Sequence, residues 1–313
     1  DAVTDARNVT ITLRHSLIEV PENDFEPRFA DPRIGFFTQQ KDDLTSTSAT
    51  PYHDLINRWH LEKKNPNAEL SEPVEPITWW IENTTPERIR PIIREAVLEW
   101  NTAFREAGFK NAIEVKVQPD TASWDAGDIR YNVLRWTSSP TPPFSGYGPS
   151  FVNPHTGQIL GADVMLEYAF LTNQVAQNKL FETAGLPLQS AADVPKTLPK
   201  HTCTLPGFLH TNTMFGRAAL ETQAPTADTE QSGPSDLDGE LTQLMEEGLH
   251  FLALHEVGHT LGLQHNMKSS QLHSAEAVHD ASVTRDEGLV GSVMDYPAVN
   301  VAPPGTEQGQ YYT

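Results

Sequence analysis

The run His255-Glu256-Val257-Gly258-His259-Thr260-Leu261-Gly262-Leu263-Gln264-His265 decides how the rest of the chain is read. It has the form H-E-x-x-H-x-x-G-x-x-H. His255 and His259 stand four apart, so on a helix their imidazoles project from one face and can reach one metal ion. Glu256 leans toward the same pocket, placed to polarise a water rather than to bind the metal. Gly262 can take a left-handed backbone conformation that a side chain would resist, which ends the helix. The chain then turns, and His265 comes back as a third nitrogen ligand from outside the helix. Three protein ligands leave an open position, the arrangement of a catalytic rather than a structural zinc. A lone His-x-x-x-His on a helix is often a surface coincidence. Here a third His and a Gly arrive at matching offsets, on a helix whose apolar positions surround its axis between Phe251 and Leu263. Buried imidazoles need partners, and one metal supplies a partner for all three.

Outward from that run, Ser235 or Asp236 caps the helix, which the pattern carries to about Gly262. Residues 170–235 read as a long irregular stretch in which Pro recurs, with a short helix near Gln174–Thr183. Upstream, Val74–Glu82 reads as a strand rich in β-branched and aromatic residues. Thr85-Pro86-Glu87 is a helix start. Ile89, Ile93, Val97, Trp100 and Phe104 follow at helical spacing, to about Ala107, with Gly108 as the stop. Ile113–Val117, Ile129–Trp136 and Gln158–Leu166 read as further strands, and Ser138–Pro154 as a Pro/Gly-rich loop. In residues 1–72, Val9–Leu13 alternates as a strand does, Ile18–Val20 extends it, and Asp42–Thr50 is a polar loop.

At 313 residues the chain can bury a sizeable core as one large domain or two ordinary ones. Its 42 acidic against 22 basic residues give a net charge of −20, and no Lys/Arg cluster interrupts it. Such a surface repels nucleic acid and anionic lipid and admits cationic or neutral substrates more easily. No apolar run approaches membrane-spanning length. The single cysteine, Cys203, excludes an intrachain disulfide. No signal peptide stands at the N-terminus and the first residue is not Met, which reads as a processed protein or a piece of a longer one.

A second element, Ser292-Val293-Met294-Asp295-Tyr296-Pro297, lies about thirty residues beyond His265. With it the chain resembles the metzincins, zinc endopeptidases in which H-E-x-x-H-x-x-G-x-x-H is followed by a Met-containing turn. HEVGHTLGLQHN together with SVMDYP is most similar to a bacterial group of that clan. The motif-level likeness covers about 255–297, and the order of strands and helices from about 74 onward is similar to the clan's upper subdomain. The resemblance implies an α+β fold: a twisted, mostly parallel sheet with an antiparallel edge strand, a long active-site helix, and a smaller C-terminal subdomain with the Met-turn. It would make residues 74–313 a catalytic domain with an insertion at about 170–235, divided near 261/262, and residues 1–73 an N-terminal extension.

Carried residue by residue, the resemblance makes His255, His259 and His265 the ligands of one Zn2+ and Glu256 the general base. Met294 packs beneath them as a structural residue. Tyr296 matches a tyrosine that in some subfamilies binds zinc at rest and swings to the tetrahedral intermediate; the alternative is a wall of the specificity pocket. Gln158–Leu166 falls where the clan has its edge strand, so Leu160, Gly161 and Ala162 would pair with an extended peptide; the alternative is a central strand with no free edge. A peptide or protein substrate and a secreted or periplasmic location follow from the same resemblance.

Other candidates carry less. His201-Thr202-Cys203-Thr204-Leu205 is not the motif of the cysteine that blocks zinc in latent matrix metalloproteases, and Cys203 reads as an ordinary thiol. His250 lies off the ligand face, and His273 and His279 read as solvated. Asp236, Asp238 and Glu240 could bind Ca2+, but they lack the usual loop spacing and equally suit a helix N-terminus. Two rivals to a peptidase stand beside it: a binding or adhesion module that keeps zinc for structure, and a latent enzyme with residues 1–73 or 170–235 in the cleft.

Overall fold

The computed structural model describes residue 13 and residues 15–137, 146–167, 202–223 and 234–312. The central sheet is built outward from β4 (Ile77–Ile81), where Ile77, Trp79 and Ile81 are buried and Thr78 and Trp80 half-buried. This is the period-two pattern of a strand covered more deeply on one face. β5 (Ile113–Val117) pairs parallel with one edge of β4, and β6 (Asn132–Thr137) parallel with the other. β9 (Gln158–Glu167) continues parallel beyond β6. Antiparallel strands then close that side: β7 (Gly146–Tyr147) and β8 (Ser150–Val152) pair with β9, and β10 (Thr202–Cys203) pairs with β7. The architecture is mixed, a mostly parallel sheet with antiparallel strands at one side, as expected.

The strand itself departs from expectation. Gln158–Glu167 is internal, with β6 and β3 (Arg58–Trp59) pairing parallel with it and β7 and β8 antiparallel. Gly161 and Ala162 stand opposite Phe151 and Ser150, and the Ala162 amide donates to Asn132 Oδ1 at 3.0 Å. Leu160, Gly161 and Ala162 therefore belong to a central strand and offer no free edge to a peptide.

Helix α1 (Arg90–Glu106) buries Ile93, Ala96 and Val97. It starts later than Thr85-Pro86 suggests because Pro91 has no N–H to give to residue 87 and its ring crowds that carbonyl. A separate turn, closed by Ile89 N to Pro86 O at 3.1 Å, precedes it. Its far end is fixed to β5 by Asn101, whose side chain accepts from Ile113 N at 2.9 Å and donates to Ile113 O at 3.0 Å. A turn closed by Tyr131 N to Asp128 O likewise delays β6 to Asn132.

The stretch read as irregular contains a 19-residue helix, α2 (Leu205–Gln223). Pro206 falls in its first turn, where a missing N–H costs nothing. Leu205, Leu209, Thr213 and Leu220 are buried, and α2 packs on the long helix α3 (Pro234–Thr260). The helix expected near Gln174–Thr183 lies outside the described residues, as do the side chains of Asp236 and Asp238.

In the N-terminal region β1 (Thr38–Asp42) and β2 (Tyr52–Ile56) form an antiparallel pair, and β3 then enters the main sheet beside β9. Ile18–Val20 is not a strand, and Ile18 and Val20 are exposed; Val9–Thr12 lies outside the described residues. The C-terminal tail carries the short helix α4 (Ala281–Glu287), capped by Asp280, whose side chain accepts from Ser282 N. The tail ends against α3: the amides of Tyr311 and Tyr312 both donate to Glu247 Oε2, at 2.6 and 3.1 Å.

Candidate metal centre

α3 ends in a tight reversal that sets the geometry of the histidines. Gly262 N donates to His259 O at 3.0 Å and Leu263 N to Gly258 O at 3.1 Å, the paired bonds of a Schellman cap. Gly262 has φ +98°, in the left-handed region, and a Cβ there would run into the Asn57 carbonyl. The reversal brings His265 back over the last turn, so that its Nε2 lies 3.1 Å from His259 Nε2.

Two other segments brace this loop. Phe37 N donates to Gly262 O at 2.7 Å, Gln264 N to Gly35 O at 2.9 Å, and Asn266 N to Met294 O at 2.8 Å. The Phe37 ring lies 5.7 Å from that of His259. Met294 is buried beneath α3 at Gly258, where a Cβ would strike its sulfur and Trp100. Beside it Asp295 is buried and accepts from both Ser269 Oγ and Ser270 Oγ at 2.6 Å.

The ring orientations leave one nitrogen of each helical histidine for a cation. His255 Nδ1 lies 2.7 Å from Val293 O, and His259 Nδ1 2.9 Å from Leu263 O. A carbonyl only accepts, so both Nδ1 atoms carry the proton and both Nε2 atoms keep a lone pair. His255 is fully buried, and among the described residues its Nε2 has no hydrogen-bond partner. Burial, then the neighbouring His259, hold His255 well below the usual imidazole range, and burial lowers His265 as well. Neutral imidazoles are the form that binds metal.

Glu256 is fully buried, and among the described residues only the Cys203 thiol comes near its carboxylate. Burial pushes its pKa up to about 7, opposed by the nearby Cys203 thiol. Tyr296 sends its hydroxyl into the same space, 3.1 Å from His265 Nε2. It also accepts from the Thr204 amide at 3.1 Å, and burial holds the phenol protonated.

Cys203 is not an ordinary thiol. It is buried with Sγ 3.2 Å from Tyr296 Oη and 3.8 Å from His265 Nε2. Its Sγ and one nitrogen each of His255, His259 and His265 all lie within 4.8 Å of one another. The sequence signal was slight: the chain's only cysteine, between two threonines just before a helix. Among the remaining histidines, His250 Nε2 lies 3.4 Å from Glu99 Oε2. His273 Nε2 donates to Gly288 O at 2.8 Å and His279 is half-buried, so neither is simply solvated.

The donors suit zinc. Around a tetrahedral ion with Zn–N of about 2.0–2.1 Å, nitrogen ligands stand about 3.3 Å apart; the two facing Nε2 atoms are at 3.1 Å. The partnerless His255 Nε2 aims at the same point, and a cation there would remove the cost of burying it.

Comparison with known proteins falls on the same segment. Residues 238–313 match the model of a family described as Met-zincin, and residues 2–64 match one described as Domain of unknown function (DUF5117). No curated protein and no solved structure matched the chain. The Met-zincin match thus covers the stretch that holds the three histidines, Glu256 and the Met294 turn.

Proposed function

We propose that the chain is a zinc-dependent endopeptidase. The observation that carries this reading is Glu256, a fully buried carboxylate with no polar neighbour among the described residues closer than the Cys203 thiol, beside three converging imidazole nitrogens. Burying such a group costs stability, and a purely structural zinc site has no use for it.

A zinc ion held by His255, His259 and His265 would supply Lewis acidity toward a peptide carbonyl and lower the pKa of an attacking water. Glu256 takes the water's proton and passes it to the departing amine. Burial favours the protonated carboxyl, which suits it to hold the proton between the two halves of that transfer. Tyr296 has its hydroxyl at the same donors and would give a hydrogen bond to the developing oxyanion. Met294 and Asp295 hold the floor beneath, and the Val293 carbonyl fixes the His255 ring. The substrate is a peptide or protein. A secreted or periplasmic location rests on the metzincin resemblance; among the described residues no helix is long and apolar enough to cross a membrane.

Cys203 favours a second reading, a closed zinc site in a non-catalytic binding module. Glu256 weighs against it. The deciding experiment measures zinc content and cleavage of a mixed peptide library, with and without a chelator, on the parent and on Cys203→Ser. Stoichiometric zinc with chelator-sensitive cleavage by either protein supports the peptidase. Zinc without cleavage by either leaves the binding module.

A further inference from the structure

Cys203 belongs to no motif around the histidines, yet it stands in their midst. We propose that Cys203 is a fourth ligand of this metal centre, carried on a strap of residues 202–204, so that the resting chain holds its metal closed. The proposal rests on the zinc reading above.

Distances support it first. With Zn–S of about 2.3 Å and Zn–N of about 2.0–2.1 Å, a tetrahedral ion holds sulfur about 3.6 Å from each nitrogen. Cys203 Sγ is 3.8 Å from His265 Nε2, and all four donor atoms fit within 4.8 Å. The second observation is independent of the cysteine. His255 Nε2 is buried without a partner among the described residues, its ring fixed through Nδ1 to Val293 O, so its lone pair points into the space that the sulfur borders. An ordinary buried thiol needs no such neighbour.

The way in which the thiol is delivered explains why the site is closed rather than merely crowded. β10 adds to β7 antiparallel, with Thr202 opposite Tyr147 and Cys203 opposite Gly146. An extended peptide joins a sheet edge by the same backbone pairing. The strap therefore occupies a sheet edge that a substrate could use, and its side chain takes the place an attacking water would need. Thr204, the next residue, donates its amide to Tyr296 Oη and holds that hydroxyl as well. The hold is short: two residues pair, and then Leu205 starts α2, which is anchored separately in the core by Leu205, Leu209 and Leu220. Opening requires that the two-residue pairing part, that the Thr204 amide release Tyr296 and that the sulfur leave, with α2 in place.

The test uses cobalt(II) in place of zinc. A thiolate ligand gives a sulfur-to-cobalt charge-transfer band in the near ultraviolet that histidine ligands do not, and Cys203 is the only cysteine in the chain. The expected result is a cobalt-loaded parent with the band and a Cys203→Ser variant that binds cobalt without it. At equal zinc content the variant should cleave peptides roughly tenfold faster or more, because a filled fourth position leaves none for water. Zinc should also protect the parent from alkylation by iodoacetamide, and a chelator should restore labelling; this arm decides the matter if the variant does not fold. Cobalt bound without the band, or labelling at one rate with and without zinc, overturns the proposal while the zinc reading stands. Failure to bind either metal overturns both. The band with no gain in cleavage supports the ligand and overturns the latency.

Discussion

The amide of Phe37 donates to the carbonyl of Gly262 at 2.7 Å, tying a segment far upstream in the chain to the turn between two histidines. Phe36 bridges to Leu263, and Trp59 Nε1 donates to the Thr260 carbonyl at 3.0 Å. The N-terminal region is thus built into the loop that positions His265, at the point where the last turn of α3 leaves carbonyls to be satisfied. Trp59→Phe keeps most of the ring and removes this one donor. It should cost about 1 kcal/mol of stability and weaken metal binding a few-fold. Denaturant titration and competition with a chelator measure the two effects. Unchanged metal affinity would show that the brace does not reach the site.

Glu256→Gln preserves the volume of the side chain and removes its ability to accept a proton. The variant should keep its zinc and melt no lower than the parent, while kcat falls by about 10²–10⁴. The comparison belongs in the Cys203→Ser background, where the strap cannot mask the difference. Cleavage equal to that of the Cys203→Ser protein would remove Glu256 from the mechanism.

The helix α3, its stop at Gly262 and the convergence of three histidines were legible because each depends on local spacing. His255 and His259 need only helical periodicity, and Gly262 only its freedom at φ +98°. What sequence left hidden depends on partners distant in the chain. Whether Gln158–Glu167 is an edge depends on residues 58–59 and 146–152, which lie on either side of it and carry no pairing signal of their own. Cys203 reads as an isolated thiol until β10 joins β7 and Tyr296 comes within 3.2 Å of it. α2 was obscured by Pro206 and Gly207, which read as loop residues but sit in its first turn.

Gly258 is the contact between the helix and the Met-turn. A Cβ there would stand 2.9 Å from Trp100 Cζ2 and closer still to the Met294 sulfur. Trp100 has little room to yield, since its Nε1 donates to Leu254 O at 3.0 Å. Gly258→Ala should therefore destabilise by about 1–3 kcal/mol and lower zinc occupancy. Met294→Ala removes the flexible half of the clash, so in the double variant the two losses should add to less than their sum. Additive melting shifts across the four proteins would mean that Met294 does not press on Gly258.

Asp163 supplies the pH dependence that is separate from the metal centre. It lies in β9, buried, and accepts from Val133 N at 3.2 Å. Burial raises its pKa to about 6, against smaller lowering effects from that N–H and from Arg135. The folded chain thus holds this proton more tightly than the unfolded chain, whose aspartates titrate near about 3.9. Below about pH 4 the group is neutral in both states and costs nothing; the cost grows as pH rises to about 6 and is complete above it, at most about 3 kcal/mol. Asp163→Asn keeps an acceptor for Val133 and removes the charge. It should stabilise the protein by about 1–3 kcal/mol at about pH 7.5 and by almost nothing near pH 4. Urea titrations of parent and variant at the two pH values give the difference directly, with other titrating groups cancelling. A gain of the same size at both would assign the effect to packing rather than to the buried charge.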